Sequence, residues 1–144
     1  QQCASRWKFF IDTQIAEDGH LPHEVDRNEG RHGIWYSHFA LLPQTLTGEI
    51  LRVNGIDVFD YTSPEGRCLR DACECLIPWI ERPETFHYWK QDPADLVRVD
   101  YYSYFEILHA QWPDFPADKL LGQARPMSAE HSAPFLTFTH GVDL

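Results

Sequence analysis

The sequence contains 144 residues, of which 43% are hydrophobic and 14% aromatic, and this composition excludes a disordered chain. The formal net charge of −10 argues against general nucleic-acid binding, which depends on basic surfaces. No apolar run approaches the ~18 residues that a membrane span needs, so no membrane partner is expected. The length suits one core, and residues 1–144 are interpreted as a single domain.

The first predicted helix covers residues 4–17, where Trp7, Ile11 and Ile15 recur at helical spacing. The Asp18-Gly19 turn signal ends it, and a histidine-rich loop follows over residues 18–33. A second helix is predicted over 34–53, with Pro43 expected to kink it or split it in two.

A third helix is predicted over residues 67–81 and a fourth over 94–111, whose apolar residues suggest burial around much of its circumference. A short helix is expected at 116–122, and "PFLTFTH", residues 134–140, is the only strand-like segment. The predicted fold class is therefore all-α, with helices joined by long loops. Long ordered loops are often functional, which draws attention to residues 18–33.

The stretch "DGHLPHEVDRNEGRHGIWYSHFAL", residues 18–41, concentrates titratable side chains between two predicted helices. A histidine metal site is one interpretation, and it would make the chain a metal-dependent hydrolase. Because "HEVDRNEGRH" lacks a regular i, i+4 ligand pair, no metal site is predicted. The remaining candidates for chemistry in this stretch are four histidines, two arginines and one tyrosine: His20, His23, His32, His38, Arg27, Arg31 and Tyr36.

Three segments in order resemble the alginate lyase family: "QIAEDGHLPHEVDR", "WYSHFALLPQTLTGEILRVNGIDVF" and "GRCLRDACECLIPWI". The resemblance implies an incomplete α/α toroid of antiparallel helix pairs, and the chain is interpreted as its C-terminal half. The family's Asn-His motif has no match in this chain. An N-terminal partner segment or a second chain is therefore expected to complete the toroid and to cover an otherwise exposed apolar helix face.

The resemblance implies a polysaccharide lyase that cleaves a uronic-acid polymer, alginate-like or glucuronan-like, by β-elimination without a cofactor. Such a reaction must neutralise the sugar carboxylate, remove the C5 proton and protonate the leaving oxygen. Either Arg27 or Arg31 is expected to bind the carboxylate, because a guanidinium fork binds it bidentately. Tyr36 is the expected acid and candidate base, and His38 is a further catalytic candidate.

Substrate binding is predicted for loop histidines, which would add pH-dependent positive charge, and for aromatic side chains that stack on the apolar faces of sugar rings. These candidates are Trp35, His20, His23, His32, Trp89 and Lys90. A non-catalytic carbohydrate-binding or structural toroid remains the alternative function. Four cysteines, Cys3, Cys68, Cys73 and Cys75, fit disulfides in a secreted protein or buried thiols, and an extracellular location is favoured.

Overall fold

The computed structural model describes residues 1–27, 29, 31–88, 102–127, 133 and 135–144. These residues contain seven α-helices, and no β-strand occurs among them beyond an isolated bridge between Thr62 and Cys68. The all-α prediction is therefore confirmed. The ring of antiparallel helix pairs and the single-domain organisation stay predictions. None of the helices in the described segments is long and apolar enough to cross a membrane.

The helices are α1 (Gln2–Gln14), α2 (Pro22–Val25), α3 (Gly33–Val53), α4 (Leu69–Glu81), α5 (Phe105–Gln111), α6 (Asp118–Ala124) and α7 (Leu136–His140). The longest, α3, packs against α1, α2, α4 and α5, and α7 packs against α5. The helix α3 thus connects the loop that carries the candidate residues to the rest of the core.

The predictions of α1, α3 and α4 from the spacing of apolar residues are confirmed. In each of these helices, apolar residues at helical spacing face the core. Trp7 and Ile11 of α1 are buried, as are Leu69 and Leu76 of α4. The helix α3 continues through Pro43, so the predicted split does not occur. Pro43 is exposed, and water can satisfy the carbonyl that a proline leaves without a helical donor.

The C-terminal elements depart further from the predictions. The fourth predicted helix is seen as α5, whose residues Phe105 to His109 are all buried, while residues 94–101 lie outside the described residues. The short predicted helix is confirmed as α6. The strand prediction for 134–140 is wrong, since α7 covers Leu136–His140. The two threonines that alternate here both form hydrogen bonds, Thr137 to Glu106 of α5 and Thr139 to the Leu136 carbonyl within α7.

A buried ion pair connects the C-terminal elements. Glu106 of α5 is fully buried, and its two carboxylate oxygens accept hydrogen bonds from Nε and Nη2 of Arg125 at 3.0 and 2.7 Å. The Thr137 hydroxyl donates to the same carboxylate, and Nη1 of Arg125 donates to the Val142 carbonyl at 2.6 Å. Such a buried pair persists because both charges are extensively hydrogen-bonded.

All four cysteines are free thiols, so the structure contains none of the disulfides that their even number would allow. Cys73 is buried in the core, and burial raises the pKa of its thiol well above the ordinary value. Burial likewise raises the pKa of Cys75 to about 11. Both thiols therefore stay protonated near neutral pH, which agrees with the absence of a nucleophile pattern in the sequence.

Candidate active site

The short helix α2 positions Arg27. Pro22 occupies the first turn, where a missing N–H costs nothing, and Val25 is buried against the core. The backbone N–H of Arg27 donates to the Glu24 carbonyl at 3.2 Å, so Arg27 directly follows the last turn of the helix. The loop predicted for residues 18–33 therefore contains a short helix, which Pro22 followed by Glu24 signals in the sequence.

The beginning of α3 lies against α2 and against Phe86. A Cβ atom on Gly33 would come within 2.8 Å of the Val25 carbonyl oxygen and 2.9 Å of Phe86 Cζ. Only glycine allows this approach, since any other residue would force the backbone apart. The contact sets the position of the first turn of α3, which carries Trp35 and Tyr36.

Arg27 lies over the face of Tyr36, with its guanidinium carbon 4.3 Å from the ring centroid. The imidazole of His32 meets the rings of Tyr36 and Trp35 edge-on, with ring centroids 6.2 Å and 6.1 Å apart, respectively. The rings of Trp35 and Tyr36 are 4.7 Å apart. We call Arg27, His32, Trp35 and Tyr36 the Tyr36 cluster; it brings together an arginine, an imidazole and a phenol, all predicted as site residues.

The two candidate arginines differ in their surroundings. Nη1 of Arg27 lies 3.3 Å from Glu24, and its side chain is 55% exposed. Arg31 pairs instead with Glu29 at 3.2 Å, where both side chains are exposed. Exposed ion pairs are weak, so another carboxylate can replace Glu24 as the partner of Arg27. Arg27 thus combines this availability with contact to Tyr36.

His38 lies in the core. Its Nδ1 is 2.8 Å from the hydroxyl of Tyr104, and its ring contacts Tyr102 and Phe105. Burial lowers the pKa of His38 to about 3, so the imidazole is neutral across the physiological range. The structure therefore separates this predicted catalytic residue from Tyr36, although both belong to α3.

His20 lies in a second group rather than in the Tyr36 cluster. Its Nδ1 forms a hydrogen bond with Oδ1 of Asp18, and its ring lies 4.8 Å from that of Tyr88. The ring of His87 lies 4.1 Å from Tyr88. We call Asp18, His20, His87 and Tyr88 the Tyr88 cluster. Sequence reasoning missed Asp18, although the Asp-Gly-His order places a carboxylate two residues before the imidazole.

The remaining predicted residues do not extend either cluster in the described structure. His23 is exposed on α2, and Trp89 and Lys90 lie outside the described residues. Within the parts of the chain that the structure describes, no three His, Cys, Asp or Glu side chains are grouped so that they could hold a metal ion.

The sequence model of the alginate lyase family matches residues 1–86, and no curated protein matches the chain. The match includes the whole Tyr36 cluster together with Asp18 and His20. The match supports the resemblance to the family but not the interpretation of the chain as the family's C-terminal half, which is wrong. Since the match covers more than half of the sequence, the chain belongs to the alginate lyase family.

Proposed function

We propose that the protein is a polysaccharide lyase that cleaves a uronic-acid polymer, alginate-like or glucuronan-like, by β-elimination. Family membership suggests polysaccharide lyase activity in general and an acidic polysaccharide as substrate. The observation that carries the finer proposal is the position of the Arg27 guanidinium, 4.3 Å above the ring of Tyr36, which His32 also contacts. This arrangement places a carboxylate-binding cation next to a group that can transfer a proton.

The reaction begins with the uronate carboxylate. While that carboxylate is charged, the C5 proton is barely acidic, because its removal adds negative charge to an anion. Arg27 would bind the carboxylate bidentately and keep its own positive charge throughout. The competing contact with Glu24 is a single 3.3 Å ion pair at an exposed position, which a bidentate substrate contact can displace.

Tyr36 would then move the protons. A sugar carboxylate on Arg27 holds the adjacent C5 close to the phenol on which the guanidinium lies. The base removes the C5 proton, the electron pair forms the C4–C5 double bond, and the C4–O bond breaks. The leaving oxygen takes a proton from the acid, so no water is consumed. Tyr36 is proposed as the acid and candidate base, and His32 and Trp35 as groups that bind the sugar.

His38 has no place in this proposal, because it is enclosed in the core and neutral. The N-terminal partner segment or second chain expected from the sequence remains a proposal, as does the toroid that it would complete. Its support is the exposed apolar face of α3, where Phe39, Ile50 and Val53 are 56%, 61% and 64% exposed. An extracellular location also stays a prediction.

The ultraviolet absorbance of the unsaturated uronate product tests the proposed activity on a panel of polymers that includes alginate and glucuronan. We expect absorbance to rise with at least one of them. The same polymer with its carboxylates reduced to alcohols should give no product, since elimination requires the acidified C5 position. Binding without product on any polymer would contradict the lyase and support the alternative, a non-catalytic carbohydrate-binding protein.

A further inference from the structure

The beginning of α3 holds the imidazole of His32 beside the phenol of Tyr36. His32 is the residue that directly precedes the helix, and its carbonyl accepts a hydrogen bond from the Tyr36 N–H at 2.8 Å. Residues four apart at a helix turn lie on the same face, which accounts for the edge-on contact of the two rings. Since the imidazole also meets the ring of Trp35, two aromatic side chains define its position.

Of the histidines predicted at the site, His32 is the one whose ring meets Tyr36 in the described parts of the chain. His38 is enclosed in the core, and His20 lies in the Tyr88 cluster. His32 and Tyr36 are both half-buried, so each keeps part of its surface open to a ligand. A sugar that Arg27 holds over Tyr36 can therefore contact the imidazole and the phenol together.

The negative charge of a bound uronate decides which of the two rings can act as a base. Once the Arg27 guanidinium pairs with the sugar carboxylate, its charge is balanced, and a phenolate on the ring beneath it would face a second anion. A like charge favours the neutral form of an acid, so the bound carboxylate favours the protonated hydroxyl of Tyr36. A neutral imidazole meets no such repulsion, and the positive charge that it gains with a proton is attracted to the same carboxylate.

We propose that His32 is the general base that removes the C5 proton, and that Tyr36 acts as the acid alone. The inference rests on the proposed function and assigns the first proton transfer, which that function leaves open. In water an imidazole is largely neutral at pH 7 whereas a phenol is protonated, so each ring enters the reaction in the form that its role requires. His32 is thereby a catalytic residue as well as a contact for the sugar.

The protons and electrons balance over the reaction cycle. A ring nitrogen of His32 takes the C5 proton, and the electron pair of that C–H bond forms the C4–C5 double bond. The C4–O bond breaks, and the leaving oxygen takes the proton of the Tyr36 hydroxyl. An imidazolium and a phenolate then remain side by side, with opposite charges that attract. Proton transfer from His32 to Tyr36, directly or through one water, restores both rings and consumes nothing.

The kinetics of two His32 variants test this assignment on the polymer that gives the most product. His32→Ala removes the base and leaves space for a free imidazole, and His32→Gln keeps the size of the side chain without a group that can take the proton. In both variants kcat per folded molecule should fall about 10²-fold or more, while KM should change less than about threefold. Added imidazole should restore part of the kcat of His32→Ala and none of the kcat of Tyr36→Phe. His87→Ala is the matched control, since it removes an exposed imidazole outside the Tyr36 cluster and should leave kcat unchanged.

The pH dependence of kcat separates a base from a group that only binds or positions the sugar. In the wild type, kcat should fall towards acidic pH as the base takes up a proton, and both His32 variants should lose this dependence. Full kcat in both variants, a rise in KM alone, or an acidic limb that persists without His32 overturns the inference and leaves the lyase standing. If the wild type cleaves no polymer, the proposed function fails and the assignment of His32 fails with it.

Discussion

Two histidine–tyrosine pairs, each with one member in α3, lie in opposite environments. His32 and Tyr36 lie near the beginning of the helix, under an exposed arginine, and their rings meet edge-on at 6.2 Å. His38 lies two residues beyond Tyr36, where its Nδ1 is 2.8 Å from Tyr104 inside the core. The same residue types therefore serve a candidate site in one pair and packing in the other. Position on the helix, not residue type, decides which chemistry is available.

The largest expected effect is a loss of cleavage rate on mutation of Tyr36, the tyrosine of the exposed pair. Tyr36→Phe removes the proposed proton donor and should lower the cleavage rate about 10²-fold or more. The free energy of unfolding should change by less than about 0.5 kcal/mol, because the ring and its contacts remain. Initial rates from product absorbance and urea unfolding measure the two quantities. A full rate in this variant would remove Tyr36 from the reaction and leave His32 as the candidate.

The buried pair predicts a pH dependence of stability. The pKa of His38 is about 3 in the folded protein against an ordinary value of 6.5. Between these values the unfolded chain binds a proton that the folded one excludes, so this contribution is complete above 6.5 and declines as pH falls towards 3. The expected slope is about 1 kcal/mol per pH unit.

Urea unfolding at several pH values in this window measures that slope. Since carboxylates such as Asp18 and Glu49, whose pKa values are lowered, also destabilise the fold on protonation, the variant comparison isolates the histidine. His38→Gln should reduce the slope, and His32→Gln should leave it intact. The reverse result would mean that the surface histidine carries the titration.

Tyr104→Phe should have the opposite effect to Tyr36→Phe: it should lower stability and leave the cleavage rate unchanged. Removing this hydroxyl leaves His38 Nδ1 without its 2.8 Å partner in the core, at an expected cost of about 1–3 kcal/mol. The cleavage rate per folded molecule should stay unchanged, because neither residue reaches the Tyr36 cluster. Thermal or urea unfolding and product absorbance test this directly. A rate loss comparable to that of Tyr36→Phe would contradict the division between the pairs.

The smallest expected effect is a change in kcat/KM that distinguishes Arg27 from Arg31. Arg27→Lys keeps the charge but loses the planar fork over Tyr36, and kcat/KM should fall about tenfold. Arg31→Lys is the matched control, since its exposed contact with Glu29 lies outside the cluster. Measured kcat/KM values for the two variants decide the question that the sequence left open. A larger loss for Arg31→Lys would reverse the assignment.

The helical part of the fold follows from the sequence because periodic apolar residues specify α1, α3 and α4 directly. The burial of His38 was also predictable, since it shares a helical face with Ile34, Leu41 and Thr45, which are all buried. The strand-like alternation near Thr137 led to a wrong prediction, because the Thr137 hydroxyl bonds Glu106 of α5 and no local pattern reveals that contact.

The candidate site was predictable in its residue types and not in its contacts. The sequence proposed Tyr36 and both arginines as neighbours, but the preference for Arg27 depends on where α2 ends and on the contact of Gly33 with Val25 and Phe86. The division of the histidines between two clusters depends on Tyr88, which is 68 residues beyond His20 in the chain. Such long-range contacts carry no local signal.

The hydrogen bonds to the Glu106 carboxylate should make the last described elements unfold cooperatively. Segments near a terminus ordinarily fray at little cost, and their amides exchange quickly with solvent. Here Arg125, Thr137 and, through Arg125, Val142 are all tied to one fully buried charge. Detaching α7 would withdraw hydrogen bonds from that charge, so α5, the turn at Arg125 and α7 should open together as one cooperative unit rather than peel away in sequence.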